Sequence, residues 1–338
     1  VPHLEISDLI TVTDPLSGAR LPVRRSDVVR RLDEAGDRRA ARIVAGLPVG
    51  PDDVLDPVAV DRLMIAVHTE LQRLSEELRT GERLVHLLDP LFETIREIAG
   101  RNGRFRLVDI GCGLGHLIRW LASTGALGSN VELIGVDLDA ALVAEADRLA
   151  RAEGLDCRFV HGNAFDLPEV ATVYVSTGVL HHFRGPALAE FFEAQADSQA
   201  LAFCHFDIAA TRLAPMGAWM FHRARMRHPL GRHDGVVSAR RAHSDETLLS
   251  AATVPGIRPL LYEPRRLSNP FSTTLRPIIG IRPYLEDPLR QALGRDSRRL
   301  VGAEHLTRGG RQRPGAASRS GAEAGSASGA VSGSGTVR

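Results

Sequence analysis

In the first hundred residues, apolar positions recur at helical spacing. Val60, Leu63, Met64, Val67, Leu71, Leu74 and Leu78 place one apolar face on a single helix. Asp56 before Pro57 predicts where it starts. An aspartate can accept from the first free N–H groups, and proline suits the first turn. Thr80-Gly81 predicts its end. A further periodic stretch through Leu91, Phe92, Ile95 and Ile98 is expected to break or restart at Asp89-Pro90, because proline removes a helix donor. Residues 1–25 read as irregular, with turn signals at Asp14-Pro15 and Ser17-Gly18.

From residue 101 the pattern changes. Short apolar runs at 107–110, 131–136, 157–160, 170–176, 200–208, 257–262 and 275–281 read as strands. Segments 114–122, 140–152 and 186–196 read as helices between them. Such alternation predicts an α/β fold, a mostly parallel seven-stranded sheet with helices on both faces. The expected organisation is an N-terminal helical extension or lid over 1–100, a core over 101–285 and a helical segment over 286–306. Residues 307–338 form a tail in which Gly, Ala and Ser supply 20 of 32 positions. Such a tail buries too little to offset chain entropy, so disorder is expected there.

Composition narrows the function classes. Charge is balanced at +1, so the molecule as a whole is no electrostatic magnet for nucleic acid or anionic membrane. All 42 basic residues are arginine, which excludes lysine chemistry, Schiff bases included. Abundant Ala, Gly and Arg suggest a high-GC bacterial genome. Cys112, Cys157 and Cys204 form no CxxC pair, so neither a disulfide framework nor a structural zinc site is expected. His222, His228, His233 and His243 lack ligand spacing, and no metal is expected. No apolar run approaches the ~18 residues of a membrane span. No leader pattern opens the chain, so a cytoplasmic location is expected.

The candidate chemistry starts at Asp109-Ile110-Gly111-Cys112-Gly113-Leu114-Gly115, between a strand and a helix. Glycines let a ligand approach the backbone, and the helix start presents free N–H groups. His116 stands where a dinucleotide fingerprint needs its third glycine. Asp137 ends the second strand, 22 residues beyond Gly115. A carboxylate there can accept from both hydroxyls of a ribose.

VDIGCGLGHLIRWLA, IGVDLDAALVAEA, FVHGNAFDLP and VSTGVLHHF, in this order, resemble the successive motifs of the class I methyltransferases that use S-adenosylmethionine (SAM). The resemblance spans roughly residues 104–285 and implies a Rossmann-like core with SAM as cofactor. It implies that Gly111, Cys112, Gly113 and Gly115 make room for the methionine portion and that Asp109 orients its ammonium. Asp137 would hold the ribose, while Leu138, Asn163, Ala164 and Phe165 would form the adenine pocket, with Thr177 also on the cofactor. Asn163 departs from the Asp usual in the family, though its amide oxygen can still accept from the adenine amino group.

The stretch Leu180-His181-His182-Phe183 resembles that of small-molecule and quinone-type methyltransferases. His182, or else His181, is the expected base or orienting group for the acceptor. The segment from Asp234 to Ala242 resembles a DGxxSxRRA stretch of bacterial small-molecule methyltransferases. Residues 207–241 hold seven Arg and two Asp. That suits an anionic acceptor or, equally, structural arginine pairs. The expectation is methyl transfer to an oxygen or carbon of a polyketide-, quinone- or lipid-like metabolite. The alternatives are a nucleic-acid or protein methyltransferase and a non-catalytic SAM-binding protein. Neither an NPPY/DPPY signature nor a Cys pair supports nucleic acid. Monomer and homodimer both stay open.

Overall fold

A computed structural model of the chain describes residues 3–14, 18–263 and 275–304. The tail expected to be disordered, 307–338, lies outside them, as do parts of both early turn signals.

Helix α1 spans Ile6–Ile10 within a stretch expected to be irregular. It is followed by α2 (Arg25–Glu34) and α3 (Arg38–Ala45). Helix α4 runs Pro57–Glu77, with the Asp56 side chain accepting from the amides of Val58 and Ala59. Helix α5 (Thr80–Ala99) corrects two expectations. Thr80-Gly81 opens a helix and does not close one. The glycine is needed because a Cβ there would stand 2.6 Å from Trp120 Cε3. Pro90 lies inside α5 without ending it. A helix-interior proline costs about 3 kcal/mol. Full burial of Leu84, Leu87, Leu88, Leu91, Phe92 and Ile95 outweighs that, at about 1.5–3 kcal/mol for each large side chain.

The core strands are β1 (Phe105–Ile110), β2 (Val131–Asp137), β3 (Arg158–His161), β4 (Val173–Thr177) and β5 (Ala202–Ile208). Strands β6 (Arg258–Tyr262), β7 (Leu275–Ile281) and β8 (Leu300–Val301) complete one sheet of order β3-β2-β1-β4-β5-β7-β6-β8. The first five are parallel, and β7, β6 and β8 pair antiparallel. The sheet has eight strands where seven are expected. The extra strand comes from the segment past residue 285, expected to be helical. That segment holds helix α12 (Glu286–Leu293) and a 3-10 turn before β8.

Helices α6 (His116–Thr124), α7 (Ala140–Glu153) and α8 (Pro186–Asp197) come after strands β1, β2 and β4, and α11 (Asp245–Ala251) leads into β6. Side chains of α5, α6 and α12 pack one face, and those of α8 and α11 the other. Between β5 and β6 the chain inserts α9 (Ala214–Arg225) and α10 (Pro229–Arg241). A third core joins α1 to α4 with Leu114, Leu142 and the α10 segment. The strand order reverses between β1 and β4, where α/β sheets open a crevice beyond the carboxyl ends of their strands.

Candidate functional site

A cavity of about 1220 Å³ opens at that crevice. Its floor is the loop from β1 to α6. Gly111, Gly113 and Gly115 hold φ of 70°, 55° and 68°, a region that L side chains rarely adopt. A Cβ at Gly113 would lie 2.8 Å from His68 Cδ2 of α4, so the helical extension crowds the loop from above. Gly111, Cys112 and Gly113 line the cavity. Gly115 does not; it is the residue before α6, backed by the Phe159 ring.

Two acids stand at adjacent strand ends. Asp137 accepts from the amides of Gly113 at 2.7 Å and Asp139 at 2.9 Å, which fixes its carboxylate beside the loop. Asp109 is 2% exposed, and its Oδ1 has no hydrogen-bond partner. Burial, then the Asp137 charge, push the Asp109 carboxyl well above the usual range. Neither acid is in an ion pair among the described residues. Leu138, Asn163, Ala164, Phe165 and Thr177 line the same cavity. Asn163 Oδ1 accepts from the Phe165 amide at 3.0 Å, a local turn that occupies the oxygen expected to read adenine.

Across the cavity, the turn after β4 carries His181 and His182. Both the Nδ1 and the amide of His181 lie 2.8 Å from the Asp207 carboxylate at the end of β5. His182 Nδ1 lies 3.0 Å from Asp8 Oδ1 and 3.4 Å from Glu5 Oε2. Burial works against a charged His182 ring, but the Asp8 hydrogen bond and the Glu5 and Asp8 charges raise its pKa to about 8. Glu5, 2% exposed, is shifted upward by burial.

Residues 107–198 match the family model described as a methyltransferase domain. That stretch of the chain is a methyltransferase domain. Among solved structures, it is similar to magnesium protoporphyrin IX methyltransferase from Synechocystis PCC 6803 with bound SAH. Identity there is 17% over 76% of this chain and 99% of that one, with a TM-score of 0.42. It is also similar to the plantazolicin methyltransferase BpumL in complex with SAH, at 12% identity over 76% of this chain and 98% of that one, with a TM-score of 0.48. No curated protein sequence matches the chain.

The methyltransferase cleft suits a cationic, nucleoside-bearing cofactor on its own geometry. Asp109 keeps an unpaired buried oxygen, a costly arrangement that an ammonium donor relieves. The glycines leave no side chain between loop and ligand. Cys112 is packed filler, its thiol pushed well up by burial and the two neighbouring acids.

Three partners of these histidines escaped the sequence reading. Asp8 lies in a five-residue helix with no periodic signal and Glu5 just before it, and Asp207 lies near the end of β5. The DGxxSxRRA stretch explains how they are brought in. Asp234, Ser238 and Arg241 lie four and then three residues apart, on one face of α10. Asp234 accepts from the Ile6 and Ser7 amides, both at 2.9 Å. The Ser238 hydroxyl donates to Glu5 at 3.1 Å, and Arg241 to Asp8 at 2.6 Å. His233 joins the clamp, with Asp234 at 2.7 Å and Asp37 at 2.8 Å. None of the seven arginines between 207 and 241 lines the cavity. Arg225 pairs with Glu77 and Arg241 with Asp8. Of the two readings for that segment, this arrangement favours structural pairs.

Proposed function

We propose that this methyltransferase acts on an oxygen or carbon of a small, largely apolar metabolite held between α9 and the His181–His182 turn. The observation that carries this is one continuous cavity reaching from the glycine loop to both histidines. Its volume exceeds the ~300–1000 Å³ usual for one drug-sized ligand, so it has room for cofactor and acceptor together. Helix α9 has no buried residue, and Leu213, Met216, Trp219 and Met220 are each at least half exposed. Leu213, Met220 and Phe221 face the cavity and supply an apolar wall.

When bound, SAM supplies a methyl already activated on a sulfonium, so alignment is the main task left to the protein. In this reading Asp137 holds the ribose and Asp109 the ammonium. Asp207 sets the tautomer and orientation of His181. His182, nearer solvent, takes the acceptor proton once it has released its own to water. The apolar wall excludes water from the transfer.

The test is incubation of the purified protein with methyl-labelled SAM and host extract fractionated by size. Label in the small-molecule fraction is expected. Label in RNA or protein alone would overturn the acceptor class. Calorimetry showing no SAM binding would overturn the cofactor assignment.

A further inference from the structure

The acceptor-side cluster gathers three carboxylates around two histidines. Glu5, Asp8 and Asp207 converge there, and Glu5 and Asp207 are almost wholly buried. Arg241 faces two of them, 2.6 Å from Asp8 and 3.3 Å from Glu5. The rings of His181 and His182 face the same three carboxylates.

The ring hydrogen bonds of the histidines go to Asp207 and Asp8. His181 presents Nδ1 to Asp207, so its Nε2 faces Glu5 Oε1 at 3.8 Å. That is too long for a hydrogen bond. A lone pair aimed at a buried carboxylate oxygen is repulsive unless a proton or a cation lies between them. One Glu5 oxygen and one ring nitrogen from each histidine all lie within 4.8 Å of one another.

We propose that Glu5, His181 and His182 bind one divalent cation at the acceptor end of the cavity. The donor set is two imidazoles and one carboxylate, which favours zinc or another transition metal over magnesium or calcium. Two of the ligands already have outer partners: Asp207 for His181, and Ser238 and Arg241 for Glu5. Carboxylate–histidine–metal arrangements use such partners to fix ring orientation and ligand basicity. All three residues line the cavity, so an acceptor oxygen that enters it would reach the bound ion and become more acidic. The proposal rests on the acceptor-side reading given above and changes one role in it: with the ion bound, His182 is a ligand, and the ion in place of the ring would ease loss of the acceptor proton.

The sequence hides this site because Glu5 lies 176 residues from His181. Only the α10 clamp brings them together.

The experiment uses the full chain stripped with chelator and titrated with Co²⁺ and with Zn²⁺. One equivalent is expected, with visible d–d absorption for Co²⁺ that Zn²⁺ displaces. His182→Gln removes a ligand from a partly exposed ring and is expected to weaken binding at least about tenfold with an unchanged thermal melt. Asp207→Asn is expected to weaken it about 10–100-fold, as loss of an outer partner does. No saturable binding by the wild-type chain, or an unchanged Co²⁺ spectrum in both His182→Gln and Glu5→Gln, overturns the proposal. SAM calorimetry on the same preparations keeps the two readings apart. Loss of SAM binding counts against the methyltransferase reading, and the Co²⁺ spectrum answers separately for the metal.

Discussion

At the scale of single residues, two buried groups carry measurable consequences. Asp137 is held by the Gly113 and Asp139 amides. Hydrogen bonds to a charged group contribute about 1.5–3 kcal/mol each. Asp137→Ala is therefore expected to weaken SAM binding at least about tenfold by calorimetry; unchanged affinity would remove its ribose role. His205 is fully buried, with Nδ1 2.8 Å from Ser176 Oγ and Nε2 2.8 Å from Gln195 Oε1. Burial pushes its pKa down to about 3, against the pull of Asp207. The folded ring stays neutral while the unfolded chain takes up a proton below about pH 6.5. Its contribution is thus present above pH 6.5 and lost as pH falls toward 3. Urea titrations at pH 6.5 and pH 5 are expected to show about 1.5 kcal/mol of that loss. In His205→Phe this increment disappears, whatever the change in absolute stability. An unaltered pH slope would show that the ring is not buried neutral.

At the scale of elements, α10 holds α1 over the histidine turn. Asp234 caps two α1 amides and also meets His233. Loss of such a cap costs about 0.5–2 kcal/mol. Asp234→Ala is expected to lower the melting temperature by a few degrees and to reduce acceptor turnover while SAM affinity stays within about threefold. An equal loss of SAM affinity would mean that the clamp supports the cofactor half as well. Elements also show where pattern reading works. Helix α4 begins at Asp56-Pro57 as expected, because a cap is local chemistry between neighbours. Helix α5 runs through Pro90 against expectation, because burial against the sheet overrides a local penalty. No described helix is long and apolar enough to cross a membrane.

At the scale of the whole molecule, the N-terminal helices complete a cavity that the sheet only begins. The glycine loop and Asp137 come from the core, whereas Glu5, Asp8 and His68 come from the extension. Removing residues 1–12 is expected to leave the sheet and SAM binding in place. It also strips His182 of both acids, so that in the metal-free protein its pKa should fall from about 8 toward 6.5. NMR titration of the ring measures this. A value that stays near 8 would show that the extension does not set the charge of the acceptor side.

The line between sequence and tertiary structure follows the range of the interactions. Strand, glycine turn and helix are contiguous, and Asp137 ends the strand paired beside them. The contiguous motifs therefore carried the resemblance to methyltransferases, and the alternation of strands and helices carried the parallel core. The acceptor side joins residues 5 and 8 to 181, 182, 207 and 241 through ion pairs and hydrogen bonds. Neither helical nor strand periodicity encodes a contact across such separations. A five-residue helix is too short to declare itself by pattern or to stand alone in water. Only packing against α10, itself placed by the insertion between β5 and β6, makes α1 a helix and Glu5 a buried acid.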